Sequence, residues 1–144
     1  MEKQPQFPFA PKDFARCLNA TCPRSQNCLR RTAALQDTDE HLFLKVVNPL
    51  RYPKESEECE LFRSTDKVRM AWGVTHLLDN VPYKEGSLLR NMIINHLGRS
   101  QYYRCFRKER PFAPQDQQTI RMLFRQRGIS EEPSFDYYTN EFNW

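Results

Sequence analysis

Glycine is scarce in this chain, with 4 in 144 residues, at positions 73, 86, 98 and 128. They are too far apart for a phosphate-cradling loop of either the P-loop or the dinucleotide type, which needs clustered glycines so that backbone N–H groups can close on the anion. No H-E-x-x-H and no G-x-S-x-G sequence occurs, so the zincin and nucleophile-elbow hydrolase patterns are missing as well. The 3 histidines, His41, His76 and His96, are scattered. A cysteine–histidine pair meeting only in space is the catalytic route left open, and the expectation is a binding protein rather than an enzyme. Long apolar runs are absent too: nothing approaches the roughly 20 residues of a membrane-spanning helix. The opening Met1 to Ala10 has no apolar signal-peptide core. The expected setting is therefore cytoplasmic, with no membrane partner. There, cysteines serve more often as metal ligands or free thiols than as disulfides.

What remains is a small polar domain. Hydrophobic residues are 39%, charged residues 28% and aromatics 12%, with a mean hydropathy of -0.80. The net charge of +4 is unevenly spread. Residues 1–60 balance at nine Lys/Arg and nine Asp/Glu, residues 61–130 hold thirteen against five, and residues 131–144 carry four acids and no base. A basic middle followed by an acidic end suggests an anionic partner, nucleic acid above all. The plainer alternative is a solvated helical surface.

Four of the 5 cysteines, Cys17, Cys22, Cys28 and Cys59, follow a C-x4-C-x5-C-x30-C spacing. Four thiolates are the ligand set of a tetrahedral structural zinc site. The surrounding segment is polar and loop-rich, with little apolar area to offset its chain entropy, and ligation coupled to folding supplies the missing stabilisation. The C-x2-C knuckles common in zinc sites are absent, so an iron–sulfur cluster is an alternative cofactor, and unliganded buried thiols are a third reading. His41 is the nearest histidine that could replace a thiolate. Cys105 lies far along the chain and reads as a small buried side chain.

The local pattern predicts a mainly α fold in a single domain: a Cys-rich, loop-rich metal-binding part over 1–62 with one or two short strands, a four-helix region over 63–128, and an acidic aromatic tail over 129–144. Residues 1–13 form an extended arm, broken by Pro5, Pro8 and Pro11, with Phe7 and Phe9 as anchors. A short helix is expected over 28–36 and a strand over 42–47, stopped by Asn48-Pro49. Four acids, Glu55, Glu57, Glu58 and Glu60, mark the loop that follows. Capped by Ser64 or Thr65, a first long helix would bury Val68, Ala71, Trp72, Thr75 and Leu78 and stop near Val81-Pro82. A second, capped by Ser87, would bury Leu89, Met92, Ile93 and Leu97, and Gly98 would turn the chain into a third running from Ser100 to about Lys108. The fourth opens at Pro114 or Gln115, buries Ile120, Leu123 and Phe124, and stops at Gly128.

The stretch from Gly98 to Arg110 carries the functional expectation. As a helix it places Tyr102, Tyr103 and Phe106 on one side and Ser100, Arg104, Arg107 and Lys108 on the other. Arg99, Ser100, Gln101, Arg104, Arg107 and Lys108, extended by Arg121 and Arg125 of the next helix, form a candidate nucleic-acid surface. Ser100 to Arg104 resembles the opening of the second helix in some helix-turn-helix units. The turn at Gly98 is shorter than in that motif, and Arg104 and Arg107 fall where it buries aliphatics; an ordinary amphipathic helix pair is the alternative. In the tail, five aromatics among residues 135–144 are expected to fold back on the helices, to shield the basic surface with their acidic neighbours, or to dock a protein partner. Taken together, the residues suggest a metal-stabilised nucleic-acid-binding protein, such as a transcriptional regulator. A protein-interaction adaptor with a structural metal and an iron–sulfur redox sensor are the alternatives.

A full-length resemblance rests on Cys17 to Arg30, Asn48-Pro49, Cys59 to Arg63, Gly98 to Arg104, Glu109-Arg110-Pro111, Gln118, Gly128 and Phe135 to Trp144. In these the chain resembles an uncharacterised family of short proteins, carrying a domain of unknown function, from Bacteroides-type gut bacteria. The resemblance implies a bacterial cytoplasmic setting and brings no activity with it.

Overall fold

The computed structural model of the chain describes residues 8–36, 38–54 and 59–144. The predicted anchor Phe7 and the acids Glu55, Glu57 and Glu58 lie outside the described residues. Among the described residues, four α-helices, α1 (Leu29–Ala34), α2 (Tyr83–Leu97), α3 (Arg99–Phe106) and α4 (Pro114–Gln126), accompany two strands, β1 (Lys67–Trp72) and β2 (Tyr137–Phe142). The strands pair in one antiparallel two-stranded sheet. The class is mixed α/β rather than mainly α. By contacts the chain divides into two compact units, Met1–Asp66 with Phe142–Trp144, and Lys67–Glu141.

The N-terminal unit has a small core of Ala10, Phe14, Leu29 and Ala33, with Phe142 and Trp144 packed against it. Phe9 is not an anchor, since it is 73% exposed. The arm is held instead through Gln36, whose side chain accepts from the Ala10 N–H at 3.2 Å and donates to the Pro8 carbonyl at 2.9 Å. The strand expected over 42–47 does not form. Leu42 and Phe43 stand in solvent at 95% and 93% exposure, and the ladder shrinks to one parallel bridge between Arg16 and Val46. On the opposite edge of this stretch the Cys17 N–H donates to the Arg30 carbonyl at 3.0 Å. Arg16 itself is fully buried. Asn48 caps the 3-10 turn Pro49–Arg51 by accepting from the Leu50 N–H at 3.0 Å.

The Lys67–Glu141 unit has a larger core of Ala71, Leu77, Leu89, Ile93, Tyr102, Cys105, Phe112, Ile120 and Phe124. Helices α2 and α4 each contribute an i, i+4 pair, Leu89 with Ile93 and Ile120 with Phe124. The first predicted helix, from 64 to about 80, is replaced by β1 and a run of turns, so three helices rather than four follow residue 63. Long-range pairing overrides the local periodicity there. Ala71 exchanges both backbone hydrogen bonds with Phe112, at 3.1 and 2.7 Å. Trp72, placed by periodicity on a helical stripe, stacks on Tyr137 with ring centroids 5.9 Å apart and donates its indole N–H to Thr139 Oγ1 at 2.7 Å. Helix α2 begins directly after Pro82, four residues before the expected cap at Ser87. A single residue, Gly98 at φ +85°, joins α2 to α3. A helix-turn-helix needs a turn of about three or four residues, and the chain does not provide it.

The tail is folded back. The Asp136 N–H donates to the Trp72 carbonyl at 2.9 Å, and its carboxylate accepts from Thr75 N–H at 3.1 Å and from Thr75 Oγ1 at 2.7 Å, and pairs with Lys108 Nζ at 3.2 Å. Burial works against ionisation, but these Thr75 and Lys108 contacts outweigh it and hold the carboxyl below its ordinary pKa. Gly73 makes the approach possible: its φ is +78°, and a Cβ there would collide with the Asp136 carboxylate. Gly73→Ala is expected to cost about 2–3 kcal/mol in urea unfolding. A depressed carboxyl pKa contributes stability at neutral pH that is lost as pH falls through the folded-state value. Asp136→Asn should therefore lower stability at pH 7 and weaken its dependence on pH in the acid range, as measured by urea midpoints across that range.

Candidate functional site

The four cysteines of the spaced set converge. Cys17, Cys22, Cys28 and Cys59 all line one cavity of about 30 Å³ in the N-terminal unit. Each is placed by a separate local device. Cys17 is held by its N–H bond to Arg30. Cys22 opens a turn in which its carbonyl accepts from the Ser25 N–H at 3.0 Å. Cys28 is the residue before α1, extended at φ −113°. Its carbonyl accepts from Thr32, and it forms an antiparallel bridge with Ser64. That bridge is flanked by bonds from Leu29 N–H to the Arg63 carbonyl at 2.7 Å and from Thr65 N–H to the Asn27 carbonyl at 3.1 Å. These bonds bring the 59–65 segment beside α1, and the turn closed by Phe62 N–H on the Cys59 carbonyl delivers the fourth thiol. All four are half-buried and none is in a disulfide.

Arginines surround the thiols. Arg24, Arg30, Arg31 and Arg51 line the same cavity. Arg24 stacks over Phe62 at 3.5 Å. Arg30 is tied to the carbonyls of Leu61 at 2.7 Å and Ala15 at 2.9 Å. Burial, then the neighbouring Arg63, push the Arg30 guanidinium below its ordinary range, while Cys28, Cys59 and Cys17 pull it the other way. Arg30 is thus in electrostatic contact with three of the four sulfurs. Sequence reasoning missed these arginines. The signal was present in the Arg30-Arg31 pair and in Arg24, interleaved with the cysteines, but the even charge balance of residues 1–60 concealed it.

The donor chemistry suits a soft metal ion, and four thiolates with surrounding guanidinium groups balance their charge better than thiolates alone. The side chains are not disposed as a finished coordination shell: among the described residues no group of three or more His, Cys, Asp or Glu could hold a metal ion as placed. No histidine is among the described residues that line the cavity. His76 pairs with Asp79 at 2.7 Å and His96 lies 3.5 Å from Asp116.

The predicted nucleic-acid residues do not form one continuous face of α3. Helix α3 ends at Phe106, so Arg107 and Lys108 lie beyond it, and Lys108 adopts φ +60°. Tyr102 and Cys105 are its buried residues, while Phe106, expected beside Tyr102, is 55% exposed. Four of the cations are already paired within the unit: Arg107 with Glu109 at 2.8 Å, Lys108 with Asp136 at 3.2 Å, and both Arg121 and Arg125 with Glu132. Gln101 accepts from Arg110 at 2.6 Å. Arg99, Ser100 and Arg104 stay exposed, and among the described residues Arg99 and Arg104 have no ion pair, although Arg99 lies over Tyr103 at 5.7 Å.

Fold and site together define a small two-unit α/β protein with a four-cysteine cavity in its N-terminal unit. The whole chain, residues 1–144, matches the family described as a family of unknown function (DUF6078), and the protein belongs to it. No curated protein and no solved structure matches. Among the described residues, no helix is long and apolar enough to cross a membrane.

Cys105 stands apart from the other thiols. It is 1% exposed, and burial pushes its thiol up to about 11. Alkylation of native, metal-free protein near pH 8 is expected to label Cys17, Cys22, Cys28 and Cys59, with Cys105 labelled only after unfolding. Peptide mapping by mass spectrometry reads the order of labelling.

Proposed function

We propose that the protein is a metal-stabilised nucleic-acid-binding protein in which Cys17, Cys22, Cys28 and Cys59 hold one structural zinc ion, and that it works in transcriptional regulation rather than catalysis. The observation that carries the metal reading is that all four cysteines line one cavity, although Cys59 is 31 residues beyond Cys28 in the chain. The size of the cavity favours a single ion over a cluster. It is about 30 Å³, whereas an iron–sulfur cluster adds several irons and sulfides. The small core of this unit gives the metal its role, since ligation would supply stabilisation that its few buried apolar side chains supply only in part.

Nucleic-acid binding draws support from Arg99, Ser100 and Arg104 on the open side of α3. The ion pairs of Arg107, Lys108, Arg121 and Arg125 reduce the field available there. The adaptor alternative draws less support: Phe135, Tyr137, Tyr138 and Trp144 of the tail have ring partners in Phe112, Trp72, Phe135 and Phe14 respectively.

The metal claim is tested on protein purified without oxygen. One zinc per chain, no visible absorption, and loss of the zinc on Cys→Ser substitution at any of the four positions are expected. Removing the zinc with a chelator should lower the unfolding temperature. Iron with sulfide would replace zinc by the cluster alternative, and metal-free protein that is equally stable would overturn the proposal.

A further inference from the structure

A second, much larger cavity opens in the same N-terminal unit. Its volume is about 1010 Å³, at the upper limit of small-molecule pockets, which run from about 300 to 1,000 Å³. Five cations line it: Arg30, Lys45, Arg51, Lys54 and Arg63. Among the described residues its acids are Asp13 and Glu60, and none of the five cations makes an ion pair. Glu55, Glu57 and Glu58, between Lys54 and Cys59 in sequence, lie outside the described residues. Five cations thus meet two acids among the described lining residues, an excess of positive charge. Such an arrangement is stabilised by an external anion.

The form of the cavity selects the anion. A free phosphate is held by donors converging on one point. Here five cations line an open cleft of about 1010 Å³, far larger than one phosphate, which suits an extended polyanion. The wall also carries the rings of Tyr52 and Trp144, both half-buried, and Leu50, which is 92% exposed. Cations spaced along a groove with accessible rings are the composition that binds single strands, where phosphates meet the cations and unpaired bases stack. Duplex DNA keeps its bases stacked inside and has no use for the rings.

We infer that this basic cleft of the N-terminal unit is a binding site for single-stranded nucleic acid, with Lys45 and Lys54 contacting phosphates and Tyr52 offering a stacking face. The inference rests on the nucleic-acid reading above and moves its main contact from α3 to the N-terminal unit. Arg30 and Arg51 line both this cleft and the cysteine cavity, so a metal ion there would fix two cations of the cleft as well as the local fold.

The test uses the full-length, metal-loaded protein and a labelled single strand of about 12 nucleotides. Fluorescence anisotropy is read between about 50 and 200 mM salt. Lys45 and Lys54 line the cleft but not the cysteine cavity, so Lys45→Glu with Lys54→Glu should leave metal content and circular dichroism unchanged. This variant is expected to bind at least about tenfold more weakly and to lower the salt slope by about 1.4, for two lost phosphate contacts. Tyr52→Ala should weaken binding with the salt slope retained. If the lysine variant binds as wild type while Arg99→Glu with Arg104→Glu does not, the cleft is excluded and the nucleic-acid reading stands on α3. Tighter binding of a duplex, or equal binding of a mononucleotide, overturns the single-strand assignment. No binding of any strand by the wild-type protein overturns both this inference and the reading beneath it.

Discussion

One residue, Asp136, ties the tail to two separated stretches of the Lys67–Glu141 unit. Asp136 reaches the turn after β1 through Thr75, the segment after α3 through Lys108, and the end of β1 through its own N–H bond to Trp72. Its side chain is 9% exposed, a costly place for a charge unless hydrogen bonds and a cation compensate. Because they do, β2 is delivered to β1 in register, Trp72 gains its stacking partner Tyr137, and Phe135 reaches Phe112. An isolated two-stranded ribbon is marginal in water. This one holds because Ala71, in the same strand, is also bonded to Phe112 inside the core.

The N-terminal unit solves a different problem. It has few apolar side chains and few regular backbone bonds, and its stability is distributed over side-chain-to-carbonyl contacts. Arg30 reaches Leu61 and Ala15, Arg16 reaches Phe14, and Gln36 reaches Pro8. Long donors thereby do for loops what ladders do for sheets, satisfying carbonyls that regular structure leaves open. Arg30 also places positive charge beside the thiols, so the framework of the unit and the electrostatics of its cavities share a residue. A ligand of either cavity would act on the fold through Arg30.

The two candidate surfaces differ in how much of their charge is already used. Around α3 and α4 most cations face a carboxylate of their own unit, and exposed pairs of this kind contribute little stability while lowering the external field. Among the described residues, the cations of the N-terminal cleft make no ion pair. A polyanion would therefore gain more there, although segment counts of charge point to the other half of the chain. Those counts follow chain order, whereas a field depends on distance.

Much of the local architecture was legible in the residues. Apolar spacing located the bodies of α2 and α4, Gly98 and Gly128 marked their ends, and Ala and Leu content marked α1, because helices are set by contacts three and four residues apart. The four-cysteine set was legible as a set for the same reason that metals select thiols by type. Strands escaped this reading. The segment 42–47 has strand composition but finds a partner only at Arg16, and 67–72 has helical spacing but finds a partner in the tail. Pairing is a property of two segments, and neither carries the information alone. Arg30's position between two cavities, Asp136's reach across the fold and the pairing of Arg121 and Arg125 with Glu132 likewise depend on distances closed by folding. Residue chemistry fixed which groups were available, and tertiary contact decided which of their charges stay open to a partner.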